Sequence, residues 1–173
     1  TTLLDTLGWR YAFRRDAVPF PSLLAARLAG EAFNLTTPTA SVGGEAVKAW
    51  LVRPWVPLTE GLPSVIVAKT TIVIGQALFL VVGLLAAHAA LPSDSLVIRG
   101  MQWLLVVQVV AVGGFVVVQA GGALRGSTRW LRKIGWLSDR PLETLTQIND
   151  ELAHFYRREP RRLALSIVYH FLA

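Results

Sequence analysis

The sequence predicts an all-α fold: a polytopic α-helical membrane protein with a re-entrant helical hairpin and a cytoplasmic amphipathic helix, as a fragment of a longer chain. Three observations carry this. Apolar residues make up 53% of the 173 and charged residues only 16%, against about 45–50% and about 25% in soluble domains. The apolar residues are also blocked. Residues 62–91 hold one Lys, one His and no carboxylate, and residues 101–122 hold no charged side chain. A bilayer core about 30 Å thick takes roughly 20 helical residues, so each block is long enough to span it. Finally, residues 20–52 are short-period, charged and broken by Pro and Gly, which neither a spanning helix nor a simple loop explains.

Residues 1–173 are read as one membrane domain. Residues 1–13 are moderately apolar and are followed by Arg14 and Arg15. Pro19 and Pro21 then reset the backbone, and a helix is expected from near Pro21, because proline suits a first turn. Pro38 and Gly43-Gly44 break that helix before a second short piece at 45–52. Pro54, Pro57 and Pro63 mark a loop. Transmembrane helices are expected at 63–91 and 97–122, separated by a turn at Pro92-Ser93-Asp94. Trp50, Trp55, Trp103, Trp130 and Trp136 fall near predicted helix ends, as in an aromatic belt.

Residues 123–162 form a basic connector with nine Lys/Arg against five Asp/Glu. Within it Leu142, Leu145, Ile148, Leu152 and Phe155 recur at helical spacing, so an amphipathic helix is expected at 141–158. Residues 163–173 are apolar but too short to span. They read as the start of a further transmembrane helix, and both ends of the chain read as cut.

The positive-inside rule places 123–162 in the cytoplasm. The Pro92 turn is then external, and the loop before Pro63 is cytoplasmic. The Arg10, Arg14 and Arg15 cluster is also read as cytoplasmic, so 20–52 must enter and leave on one side. That parity and the Pro/Gly break independently predict a re-entrant hairpin. Its irregular backbone needs protein or a polar cavity around it.

The candidate site lies in this hairpin. Glu31, Asn34, Pro38, Gly43, Gly44, Glu45 and Lys48 gather ionisable and backbone-freeing residues where charge is expensive. Arg27 and Glu31 are four apart, and Glu45 and Lys48 three apart, so each pair shares a helix face. The helix start at Gly43-Gly44 offers free N–H groups to an anion, or to Glu45 itself as a cap. Two readings stand: mutually paired interfacial residues that fix the hairpin, or a cavity for a lipid headgroup or ion. Lys69 either snorkels to the cytoplasmic interface or reaches that cavity. Arg125, Arg129, Arg132 and Lys133, interleaved with Trp130, read as a lipid-surface basic patch.

No catalytic residue, metal site or cofactor is expected. His88, His154 and His170 share no ligand spacing, and Ser64, Ser95, Ser127 and Ser166 have no nearby base in the sequence. The absence of Cys removes disulfides and thiolate sites. The net charge of +6 is assigned to cytoplasmic loops and anionic lipid headgroups rather than to nucleic acid.

Asn34, Pro38, Gly43-Gly44-Glu45 and Lys48 together resemble the signature of the lysylphosphatidylglycerol synthase transmembrane-domain family, whose members are flippase-like. The succession of short hairpin, long helices and basic connector is similar across most of the chain. The wording around Lys69 and Gln76 to Phe79 resembles the branch associated with hopanoid biosynthesis. The resemblance implies a multi-pass protein of the bacterial inner membrane that translocates or handles (amino)phospholipid or hopanoid-type lipids. It does not imply synthase activity, which belongs to a separate soluble domain. Thr70 and Thr71 stand where many members carry an acid, which departs from the pattern. A membrane-embedded lipid-modifying enzyme and a non-catalytic assembly partner of a lipid-synthesis complex are the alternatives. Membrane lipids are the expected partners, and the sequence assigns no oligomeric state.

Overall fold

The computed structural model describes residues 1–37, 42–92, 95–120 and 139–173. Seven helices occur among them: α1 (Thr2–Tyr11), α2 (Phe20–Thr36), α3 (Val42–Leu51), α4 (Leu58–Ala90), α5 (Leu96–Ala120), α6 (Asp139–Arg158) and α7 (Pro160–Phe171). The described residues contain no strand. Pro38, Ser93, Asp94 and the basic patch of Arg125, Arg129, Arg132 and Lys133 lie outside the described residues.

Helix α4 is the spine. At 33 residues and 1.5 Å per residue it is roughly 50 Å long, more than a bilayer core needs. Its first half is buried on several sides through Val65, Val67, Ala68 and Thr71. Beyond Gly75 it is covered mainly by α5, which runs back beside it. Gln108 of α5 donates to the carbonyl of Val73 at 3.0 Å, so a polar side chain in an apolar helix spends its hydrogen on the neighbouring backbone. The rest of α5 exposes Val107, Val110, Phe115 and Val117, an apolar surface suited to lipid rather than water. Both helices are long and apolar enough to cross a membrane.

The expected start of this helix at Pro63 is corrected: α4 begins at Leu58, with Pro63 inside it. Pro57 sets an extended entry (ψ 157°), and its carbonyl accepts from the N–H groups of Glu60 and Gly61, each at 2.9 Å. A helix nucleated there carries through Pro63 at the loss of one backbone bond. The turn therefore closes at Pro57 and is shorter than the sequence suggests.

Helix α1 inserts into the core. Its Trp9 is buried, as are Ala12 and Phe13 just past its C-terminal end. The Trp9 indole donates to the Ser64 hydroxyl at 3.1 Å, which donates to the carbonyl of Gly61 at 2.7 Å, tying α1 to α4. On its other side α1 packs on α7, where Tyr11 stacks on Tyr169 with centroids 5.4 Å apart. Arg162 of α7 donates to the carbonyls of Arg10 and Phe13, satisfying acceptors that a helix C-terminus leaves free. Its guanidinium also holds Asp16 at 2.7 Å.

Helices α2 and α3 form a close pair. Pro19 precedes α2 and Pro21 lies in its first turn. A Cβ on Gly44 would collide with the Gly30 carbonyl and the Asn34 amide, and one on Gly30 would lie 2.7 Å from the Gly44 carbonyl. Only glycine at both positions allows this approach. Helix α6 covers α4 with Leu152 and Phe155, which join the core residues of α1–α4, and its Glu151 pairs with Arg14 at 3.1 Å.

Two outcomes are expected. Gly44→Ala must push α2 from α3 and lower stability by about 1–3 kcal/mol, the usual cost of overpacking, measured by thermal unfolding in detergent. The hydrogen bond from Arg162 holds the Asp16 carboxyl below its ordinary range, against a smaller opposing effect of burial. Asp16 therefore adds stability at neutral pH, and this is lost as pH falls below the ordinary carboxylate value through the lowered one. Asp16→Asn should lower the melting temperature at pH 7 and flatten its fall in acid.

Candidate functional site

The close α2–α3 approach assembles a charged cluster. Asn34, one turn beyond Gly30, points its amide oxygen at the start of α3 and accepts the Gly44 N–H at 2.8 Å. A side chain from one helix thus caps another. The anion site that the sequence suggests at Gly43-Gly44 already has its Gly44 donor engaged, while Gly43 lies half-buried in α3.

Glu45 lies in the first turn of α3, where the helix dipole favours a carboxylate. It is shared by two ammonium groups, Lys48 at 3.2 Å and Lys69 at 3.1 Å. On α2, Arg27 pairs with Glu31 one turn on at 2.9 Å and with Asp5 of α1 at 3.2 Å. These residues meet around a polar cavity of about 100 Å³, whose lining includes Arg27, Glu31, Asn34, Glu45, Lys48 and Lys69, closed on one side by Trp9. Three cations face two carboxylates there. Asp5, behind Arg27, supplies a third carboxylate, so the cluster is balanced, which is what burial of so many charges demands.

The two lysines differ. Lys48 is 7% exposed and its side chain lies against Gly30, within reach of the Cβ that Gly30 lacks. Lys69 has a side chain 53% exposed. Of the two, only Lys69 can leave Glu45 without stranding a buried charge, because water or another ligand can receive it.

An apolar groove of about 380 Å³ adjoins this cavity between α4 and α5. Its walls include Val65, Ile66, Val73, Ala111, Val112 and Phe115. Glu45, Val65 and Lys69 line both spaces. A charged chamber and an apolar trough therefore share one wall, an arrangement suited to an amphiphile.

The structure brings Glu31, Asn34, Glu45, Lys48 and Lys69 together. Sequence reasoning missed Asp5 and Trp9, whose partners lie far along the chain, and the α5 side of the groove, which is uniformly apolar in sequence. It also passed over Ser166 for want of a base. In the fold, Ser166 and His170, one turn apart on α7, both reach the Thr71 hydroxyl, at 2.8 and 2.9 Å. Their i, i+4 spacing was the available signal. Among the described residues no group of three His, Asp or Glu could hold a metal ion.

Comparison with known proteins adds one finding. The family model described as Lysylphosphatidylglycerol synthase TM region matches residues 1–173. No curated protein and no solved structure matches the chain.

The unequal burial of the lysines predicts unequal costs. Glu45→Ala leaves Lys48 buried without its acceptor and should cost about 3 kcal/mol. Lys69→Ala removes a half-exposed partner and should cost under about 1 kcal/mol. Thermal unfolding of the two variants in one detergent would compare them, and equal losses would contradict the assignment.

Proposed function

Because the chain belongs to the lysylphosphatidylglycerol synthase transmembrane-region family, we propose that it is a flippase-like module that takes a phospholipid headgroup into the charged cavity while an acyl chain lies in the α4–α5 groove. The observation that carries this reading is the wall shared by the two spaces, formed by Glu45 and Lys69. A lipid crossing a bilayer must drag a phosphate through hydrocarbon, where an unpaired charge is costly. A chamber with fixed cations replaces its hydration, and an open apolar side lets the tail stay in lipid throughout.

Within this reading Arg27, Lys48 and Lys69 attract the phosphate. Glu31 and Glu45 balance charge or receive a headgroup amine. Asn34, Gly43 and Gly44 hold the start of α3 in place, and Pro38 belongs to the break between the two hairpin halves. Three cations favour a phosphate-bearing (amino)phospholipid over a neutral hopanoid-type lipid, which would fill the groove and leave the chamber unused. The module works in the bacterial inner membrane, with 20–52 as a re-entrant hairpin entering from the cytoplasmic face. The segment holding Arg125, Arg129, Arg132 and Lys133 draws anionic lipid to that face.

Dithionite quenching of a headgroup-labelled phosphatidylglycerol in vesicles holding the full-length protein tests transport. Glu45→Ala and Lys48→Ala variants that insert normally should slow translocation at least about tenfold, the equivalent of about 1.4 kcal/mol in the barrier. Wild-type rates would remove both residues from the mechanism. Topology is tested by cysteines at the exposed positions Arg15 and Arg53. An impermeant reagent should label Arg15→Cys and Arg53→Cys from the same face, and labelling from opposite faces would exclude the hairpin.

A further inference from the structure

Thr71, Ser166 and His170 form a second polar cluster, buried where α1, α4 and α7 meet. The cavity does not include it. Four contacts define it: His170 Nε2 to the Asp5 carbonyl at 3.2 Å, His170 Nδ1 to the Thr71 hydroxyl at 2.9 Å, Thr71 to Ser166 at 2.8 Å, and Ser166 to the Gly8 carbonyl at 2.8 Å. Each contact needs one hydrogen. A neutral imidazole carries one, and the two hydroxyls carry one each, so three hydrogens serve four contacts. The Thr71 hydroxyl also lies within reach of its own helix carbonyls, Val67 at 3.1 Å and Ala68 at 3.0 Å, which deepens the shortage. An imidazolium supplies the missing hydrogen. The chain then runs without a gap: Nε2–H to Asp5, Nδ1–H to Thr71, Thr71 to Ser166, and Ser166 to Gly8.

The cluster touches the cavity through one residue. The Asp5 backbone accepts from His170, while the Asp5 carboxylate holds Arg27 at 3.2 Å, and Arg27 in turn holds Glu31 in the cavity wall. The groups that face His170 are few. Burial is the largest influence and keeps the imidazole neutral while no anion is bound; Asp5 from α1 favours a proton on it and Arg27 from α2 opposes one. Helix α4 offers only the Thr71 hydroxyl, and α7 itself offers Ser166. Asp5 thus serves both cations, its backbone carbonyl meeting His170 and its carboxylate meeting Arg27.

We propose that His170 is a proton-binding site linked to the charged cavity, so that proton uptake there and anion binding beside Arg27 favour each other. The proposal rests on the cavity reading above. With a proton on His170, Asp5 has a second cation and Arg27 is released toward a phosphate in the cavity. An anion that draws Arg27 from Asp5 leaves that carboxylate to attract a proton to His170. Reciprocity of the two effects follows from linkage. Thr71 and Ser166 are positioning residues, which fix the ring by the hydrogen chain.

The test uses the full-length protein in neutral detergent and weak buffer, mixed with isotope-labelled short-chain phosphatidylglycerol or phosphatidylcholine. Proton uptake is read with a pH indicator and bound lipid by co-purification. The wild type should take up protons on binding phosphatidylglycerol and less on phosphatidylcholine. Uptake should be lost in His170→Gln, reduced in Thr71→Val, and kept in His88→Gln, whose ring bonds only its own helix at Leu84. Because His170→Gln could fold poorly, Thr71→Val provides an independent reading with the imidazole intact. Phosphatidylglycerol binding with equal uptake in the wild type, His170→Gln and Thr71→Val would overturn the linkage alone. No binding of either lipid would overturn the cavity reading and the linkage with it.

Discussion

The contact between Gly30 and Gly44 is the constraint on which the rest of the site depends. Two helices approach until the carbonyl of one lies where a side chain of the other would be. That approach lets Asn34 reach across and cap α3, and it presses Lys48 against α2, where it stays buried beside Glu45. Glu45 then faces α4 and finds Lys69. Remove the approach and each of these contacts loses its geometry, although no one of them contributes much alone. Buried ion pairs are costly to assemble and more costly to break, so a cluster of this kind fixes one arrangement of helices more than it stabilises the fold.

The amphiphilic character of the site has a simple physical origin. Helix α4 turns different faces to different neighbours: Val65, Ala68 and Lys69 toward the charged cavity, Val73 toward the apolar groove, and Thr71 and Gly75 toward α7. Polar and apolar compartments therefore sit side by side along a single helix. Helix α1 closes the arrangement from behind. Its Trp9 bonds Ser64, its Asp5 holds Arg27, and Arg162 fastens its C-terminal end. A short helix with little apolar length of its own thereby becomes the link between the charged cavity and the Ser166–His170 cluster.

What could be read from the sequence was local. The apolar blocks at 62–91 and 101–122 correspond to α4 and α5, because length and hydrophobicity are properties of a continuous segment. The Arg27–Glu31 and Glu45–Lys48 pairs follow from helical spacing, and the structure holds both within ordinary ion-pair distance. Spacing said nothing of Asp5, Trp9 or the join of Glu45 to Lys69, since those contacts span many residues and depend on how helices cross. Lys69 was open between the membrane interface and the cavity for the same reason. Pro63 misled, because a proline in sequence marks a break only where no upstream residue has already nucleated the helix. Ser166 and His170 looked unrelated to Thr71, since their meeting depends on α7 packing against α4 some 95 residues away.

The claim that a headgroup and an acyl chain occupy adjoining spaces is tested most directly by photo-crosslinking. A phosphatidylglycerol carrying a diazirine near the carbonyl end of one acyl chain would be reacted with the full-length protein in vesicles, and the adducts mapped by mass spectrometry. The account predicts adducts concentrated on Val73, Val112 and Phe115, and their loss in a Glu45→Ala variant that inserts normally. Adducts spread evenly over the exposed apolar surface of α4 and α5, from Leu85 to Val117, and unchanged by Glu45→Ala, would contradict it.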